Sequence, residues 1–193
     1  MFGLAAAAVA AMAFMGATSA MATSTLLCNN DQALGSCTSP TTHVHQVATD
    51  PKLLTSLGTV LCESALLLGE VLGLGSPQHI HAKLTYTNCV LGGGACTVEE
   101  VSEGVLVEVL RTAAELGNVT GSGQVEVNCS GLQCTYEGKE LTGHALGPLV
   151  TGDNGHVTYT EAKVEKVAGG FLCPSTSKLD ALFVSLSPVY LNS

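Results

Sequence analysis

Apolar and polar residues alternate along several stretches of this chain. Residues 80–87 read Ile-His-Ala-Lys-Leu-Thr-Tyr-Thr, with an apolar residue at nearly every second position, and residues 125–129 and 157–159 show the same alternation. A period of two is typical of a strand that packs one face against a core. The pattern therefore predicts β-strands at these three places.

Two other features of the second half of the chain extend this prediction. An apolar run within residues 179–191 is followed by Pro188, which predicts a central strand that becomes an edge strand at the proline. The sequence Asp-Asn-Gly at residues 153–155 predicts a hairpin turn, because Asn-Gly tolerates the positive backbone dihedrals that tight hairpins need.

Two segments, at about residues 61–72 and 98–116, have apolar spacing that also fits a helix. Glycines such as Gly69 and Gly104 disfavour a helix there, and the β-branched residues within 105–109 favour a strand. We predict strands for both segments. About eight strands at turn-rich intervals predict an all-β fold, namely a disulfide-stapled antiparallel β-sandwich or barrel.

An uncharged, alanine-rich leader precedes these strands. Residues 1–22 end in small side chains, which predicts a secretory signal peptide cleaved after Ala20 or Ala22; a single membrane anchor is the alternative. The expected organisation is then an N-terminal extension, 23–54, with Cys28, Cys37 and the first strand, followed by a β-sandwich core domain, 55–193. No later segment is long and apolar enough to span a bilayer, so we expect no stable membrane insertion after cleavage.

The charge balance is acidic, with 16 Asp and Glu against 7 Lys and Arg and a formal net charge of −9. Such a surface repels phosphate backbones, so we expect no nucleic-acid partner. The expected location is outside the cell or in the cell envelope, and the periplasm if the host has two membranes.

Eight cysteines in an exported chain predict a disulfide framework, because an oxidising compartment preserves such bonds. Spacing favours three local bridges and one that closes a far longer loop, worth roughly 4 to 5 kcal/mol in the chain-entropy model. Other connectivities remain open, and zinc is disfavoured because the chain has no Cys-x-x-Cys. The predicted bridges are Cys28–Cys37, Cys89–Cys96, Cys129–Cys134 and, as the long one, Cys62–Cys173.

The order of several short motifs resembles that of uncharacterised secreted bacterial β-rich proteins. The resemblance covers residues 55–191, and its most specific parts are Cys-Thr-Val at 96–98, Cys-Thr-Tyr at 134–136 and Leu-Cys-Pro at 172–174. It implies export from a bacterial cell and an all-β fold. It implies no activity and no site residues.

Two histidine pairs are the strongest candidate metal ligands. His43 and His45, like His79 and His81, are two residues apart, so on strands each pair would share one face. If the two strands were neighbours, four imidazoles would converge in a set that suits copper or zinc. The alternative is that Ile80 faces the core, which would place both histidines beside it in solvent.

Enzyme motifs are absent from the sequence. It contains no Gly-x-Ser-x-Gly elbow, no phosphate-binding Gly-x-x-x-x-Gly-Lys loop and no dinucleotide fingerprint in a βαβ setting. The sequence therefore predicts a non-enzymatic structural or binding domain of the bacterial cell envelope or medium, without a cofactor and with an unknown partner. The alternative is a small extracellular copper or zinc protein that uses the histidine pairs.

Overall fold

The computed structural model describes residues 26–29, 40–73, 77–102, 104–111, 116–146 and 155–192. Every regular element within these ranges is a β-strand, and every strand pair is antiparallel. The fourteen strands of the described residues are β1 Leu26–Cys28, β2 His43–Thr49, β3 Lys52–Thr55, β4 Gly58–Leu61, β5 Ser64–Val71, β6 Gln78–Thr87, β7 Cys89–Leu91, β8 Gly94–Glu100, β9 Val105–Arg111, β10 Leu116–Cys129, β11 Leu132–Leu146, β12 His156–Gly169, β13 Thr176–Ser185 and β14 Tyr190–Asn192.

The predicted all-β, disulfide-bonded fold class is confirmed, although there are more strands than the eight or so expected. The alternating stretches lie in β6, β10 and β12, and both ambiguous segments are strands. Glycine at position 69 permits the close approach of the neighbouring strand, because a Cβ there would lie 2.6 Å from the Ile80 Cγ2 atom. The predicted turn at 153–155 lies almost wholly outside the described residues.

Eight strands form a closed antiparallel ring, which we call the first ring. Its order is β10, β11, β12, β13, β2, β5, β6 and β9, and pairing of β9 with β10 closes it. Inward side chains of these strands build the larger hydrophobic cluster of the protein. The predicted boundary between residues 54 and 55 falls inside β3, and β2 pairs with both β5 and β13, so residues 43–54 belong to the same sheet as the core.

The second ring shares the long strands β10 to β13 with the first and adds β8, β7, β4 and β3. It consists of four hairpins, β3–β4, β7–β8, β10–β11 and β12–β13, whose turns are residues 56–57, 92–93, 130–131 and 170–175. Pairing between the hairpins, for example Val60 opposite Leu91 and Cys134 opposite Gly169, places all four turns at the same end of the ring.

Three disulfides connect these four hairpins in order. Cys62, which follows β4, bonds Cys89 on β7; Cys96 on β8 bonds Cys129 on β10; and Cys134 on β11 bonds Cys173 in the last turn. Five of the six cysteines are buried, together with Val60, Val127, Tyr136 and Val164, in a second hydrophobic cluster. Disulfide-bonded cysteines therefore make up much of the core of the second ring.

The predicted bridges Cys62–Cys173 and Cys89–Cys96 are therefore wrong. Cys96 lies opposite Cys89 on one side and opposite Cys129 on the other. Its Cα atom is 4.3 Å from that of Cys129, the short spacing of a non-hydrogen-bonded strand pair. The two kinds of pair alternate in an antiparallel sheet, so Cys96 forms the wider, hydrogen-bonded pair with Cys89. Its sulfur therefore bonds Cys129, the nearer of the two cysteines.

The predicted Cys129–Cys134 bridge is also wrong, and the turn between these residues explains why. The two-residue turn places Cys129 opposite Leu132 and Cys134 opposite Val127, so the two cysteines are diagonal neighbours. Diagonal positions in a sheet are about 7 to 8 Å apart, too far for a disulfide. Cys28 is disulfide-bonded, and its predicted partner Cys37 lies outside the described residues.

The two remaining strands form a separate small sheet. β1 pairs with β14, so residues near both ends of the described chain lie side by side. As predicted, β13 is a central strand, because it pairs with β12 on one side and with β2 and β3 on the other. It ends at Ser185, so the predicted change to an edge strand at Pro188 is wrong. Among the described residues, no helix has the length and apolar character needed to span a bilayer.

Candidate functional site

The interior of the first ring contains a cavity of about 50 Å³. An eight-stranded ring is just wide enough to be filled by side chains or to hold one small ligand. Here many inward positions carry small side chains, so the ring is not filled. These small inward residues are Ala48, Ala65, Ala82, Ala162 and Ala181, with Val44, Val105, Val107, Val109 and Val119.

One polar pair interrupts the apolar wall of the cavity. Gln46 on β2 and Ser185 on β13 lie opposite each other in the sheet, and the Gln46 Nε2 atom donates a hydrogen bond to Ser185 Oγ at 3.0 Å. Both side chains are buried and line the cavity. Such a wall suits a mostly apolar molecule and gives it one polar neighbour that can fix its orientation.

Two aromatic rings bound the cavity on another side. Tyr159 on β12 and Phe183 on β13 meet edge to face, with ring centroids 6.4 Å apart. Gly143 on β11 makes room for the tyrosine, since a Cβ there would lie 3.0 Å from a Tyr159 ring carbon. The pKa of Tyr159 is raised mainly by burial and to a smaller extent by the nearby Tyr86, so this hydroxyl stays protonated.

The small β1–β14 sheet covers part of the cavity. Leu27 on β1 and Val189, just before β14, both line it. The Leu27 amide donates to Gln78 Oε1 at 3.3 Å, and the Gln78 Nε2 atom donates in turn to the Gly73 carbonyl. Gln78 is only 1% exposed, so a buried amide on β6 holds the cover in place.

The four predicted metal ligands lie on the outer surface of the first ring. Ile80 faces the core, and His79 and His81 beside it point outward, as do His43 and His45 on β2. The two strands are not neighbours, because β5 lies between them. The condition for four converging imidazoles is therefore not met.

Each histidine pair instead faces acidic residues on the outer surface. Glu70 on β5 lies opposite both His43 and His81, and the His79 Nδ1 atom is 3.8 Å from Glu108 Oε2. The described part of the chain contains no group of three or more His, Cys, Asp or Glu residues arranged to hold a metal ion. The geometry thus favours the cavity over the histidines as the functional site.

Sequence reasoning missed the residues that shape the cavity. Gln46 could have been found, because the alternation His43-Val44-His45-Gln46 places a glutamine on the face of an apolar residue. Gln78 follows the same rule beside Ile80. Ser185 gives no such signal, because serines are common in the surrounding segment.

No protein-family model, curated protein or solved structure matches this chain. The three disulfides of the described residues are consistent with an extracellular or other oxidising compartment.

Proposed function

We propose that this protein is an exported, non-enzymatic binding domain that holds one small apolar molecule inside the first ring. The observation that carries the proposal is the cavity of about 50 Å³, which is lined mostly by aliphatic side chains and the Tyr159 and Phe183 rings. Its polar lining consists of the buried Gln46–Ser185 pair and His156. Empty apolar cavities in proteins bind small apolar molecules, because such ligands regain contacts that the cavity lining otherwise lacks.

The volume limits the size of the ligand. An engineered apolar cavity of about 150 Å³ binds benzene, so the cavity here suits a molecule smaller than benzene. A larger ligand would need to displace Leu27 and Val189, the two residues that the cover contributes to the lining. The ligand class is accordingly a small, uncharged and predominantly apolar molecule.

Xenon is a suitable probe because it is apolar and small enough for the cavity. We expect the oxidised protein to change the ¹²⁹Xe NMR chemical shift, and the change should show saturable binding as the concentrations are varied. Val119→Leu adds a methylene at a cavity-lining position and should reduce this affinity at least fivefold. Val119 is fully buried on β10, so the variant is first checked for a native far-ultraviolet spectrum.

Val164→Leu provides the matched control. Val164 is buried in the second ring, remote from the cavity lining, and receives the same added methylene. This variant should bind xenon as the unmodified protein does. Equal binding by all three proteins, or no saturable binding by the unmodified protein, would refute the proposal.

The proposal also includes export to the bacterial cell envelope or medium, or to the periplasm of a host with two membranes. Support comes from the apolar leader at residues 1–22 and from the disulfides. Amino-terminal sequencing of protein recovered from outside the cytosol should begin at Met21 or Thr23. An intact leader on that protein would contradict the signal-peptide assignment.

A further inference from the structure

The four turns that end the second ring, residues 56–57, 92–93, 130–131 and 170–175, form a surface that we call the turn face. No residue of these four turns is charged or a histidine, although the chain carries a net charge of −9. One charged group reaches the edge of the face, the Lys166 ammonium, which contacts the Gly170 carbonyl. The charged residues that bound these uncharged segments are Lys52 and Glu63, Lys83 and Glu99, Glu126 and Glu137, and Lys166 and Lys178.

Large apolar side chains project from the turn face. Phe171 is 93% exposed, and Leu172 and Leu57 are exposed by half or more. The turn that carries Phe171 is held at its base by the Cys134–Cys173 disulfide and by a hydrogen bond from the Cys173 amide to the Gly170 carbonyl. These side chains are therefore presented to solvent by a cross-linked support.

Disulfides also connect the hairpins that carry the turn face. The three bonds link the four hairpins one after another, and two of them, Cys96–Cys129 and Cys134–Cys173, lie close to the turns. An exposed apolar patch of this kind marks an interaction site.

We propose that the turn face docks onto the uncharged surface of a lipid bilayer, with Phe171 and Leu172 at the boundary between headgroups and acyl chains. Contact with lipid favours apolar groups without charges that would have to leave water, which matches the uncharged turns. The Lys166 ammonium lies at the base of the projecting turn, where it stays at the level of the headgroups. A protein interface adds a polar rim to its apolar centre, whereas the residues around Phe171 and Leu172 in the turn 170–175 carry no charge.

The distribution of charge determines which lipid is favoured. The Lys166 Nζ atom donates to the Gly170 carbonyl at 3.3 Å, which places one positive charge at the base of the projecting turn. The rest of the molecule is strongly acidic and is repelled by anionic headgroups. The bilayer that fits the turn face is therefore zwitterionic, and the contact is confined to the turns.

Vesicle flotation of the mature, oxidised protein tests this proposal. The protein should float with phosphatidylcholine vesicles, and binding should weaken when phosphatidylglycerol replaces part of the lipid. The double variant Phe171→Ser, Leu172→Ser should bind at least tenfold more weakly, since it removes two large apolar side chains from the contact. Both positions are exposed, so folding is unaffected, and a native far-ultraviolet spectrum confirms it.

Leu182→Ser, Leu186→Ser is the matched control. These leucines are about half exposed but lie outside the turns, on and just after β13. The control should float like the unmodified protein. The proposal is overturned if the protein does not float, if both double variants bind equally, or if sedimentation shows a dimer that only the Phe171→Ser, Leu172→Ser variant abolishes, since a second copy would then cover the face.

Discussion

Removal of single disulfides tests how the second ring is held together. Each of three double variants replaces one bonded pair by alanine and leaves the other bridges intact. The three variants are Cys62→Ala with Cys89→Ala, Cys96→Ala with Cys129→Ala, and Cys134→Ala with Cys173→Ala.

The expected loss of stability follows from the lengths of the loops that these bonds close. The bonded residues are separated by 27, 33 and 39 positions. In the chain-entropy model each such loop is worth about 4 kcal/mol, with little difference among the three. The loops do not overlap in sequence, so the model treats the three contributions as independent.

Urea denaturation of the four proteins measures these losses. Each double variant should lose about 3 to 4 kcal/mol of unfolding free energy, and the three losses should be similar. Local bridges within a hairpin would close far shorter loops and stabilise less. A loss below about 1 kcal/mol in any variant, or peptide mapping that finds Cys89 bonded to Cys96, would refute the reasoning.

Three further predictions concern single positions. Gly169→Ala should destabilise the protein by about 2 kcal/mol or more in urea, because Gly169 has a φ of +117° and its new Cβ would lie 2.6 Å from Cys173 Sγ; Gly170→Ala, with open space around it, should be nearly neutral. Burial, assisted by Glu100, raises the pKa of Tyr86 to about 12. The stability that this shift contributes is complete below pH 10 and is lost as the pH rises towards 12, which absorbance of tyrosinate and urea midpoints across that range will measure; a tyrosinate signal complete by pH 10.5 in folded protein would contradict it. Gln78→Met should lower the unfolding free energy by about 1 to 3 kcal/mol and speed hydrogen exchange at the Leu27 backbone amide. Unchanged exchange at Leu27 would show that the Gln78 side chain does not hold β1.

The sequence was sufficient to predict the alternating strands, because each of them faces a core on one side; the short strands such as β4 and β7 were not predicted. In β6 the buried residues are every second one from Gln78 to Ala82, so the period of two is visible without a structure. In the two ambiguous segments, glycines disfavour a helix and β-branched residues favour a strand, so residue type decided between the two structures. Local physics determines these elements.

The closure of the two rings was beyond local reasoning. β10 pairs with β9 through residues 117–122 and with β8 through residues 125–129, and the change of partner occurs near Gly123. A Cβ at Gly123 would lie 2.9 Å from Val105 Cγ2, so glycine permits the close approach there. The alternation of apolar and polar residues does not show that one edge of a strand pairs with two different strands, so this change of partner could not be predicted.

The disulfides and the cavity depended on this same register. Spacing along the chain favoured bridges within hairpins, whereas strand pairing brought Cys96 beside Cys129. The cavity likewise arises from side chains on seven strands and the cover. Only Gln46 and Gln78, as polar residues at inward positions, indicated it in the sequence.

Diffraction from crystals of the oxidised protein under xenon pressure tests the central claim most directly. The account predicts one well-occupied xenon atom inside the first ring, in contact with Val107, Val119 and Phe183. An interior filled by protein side chains, or xenon bound only elsewhere, would contradict it.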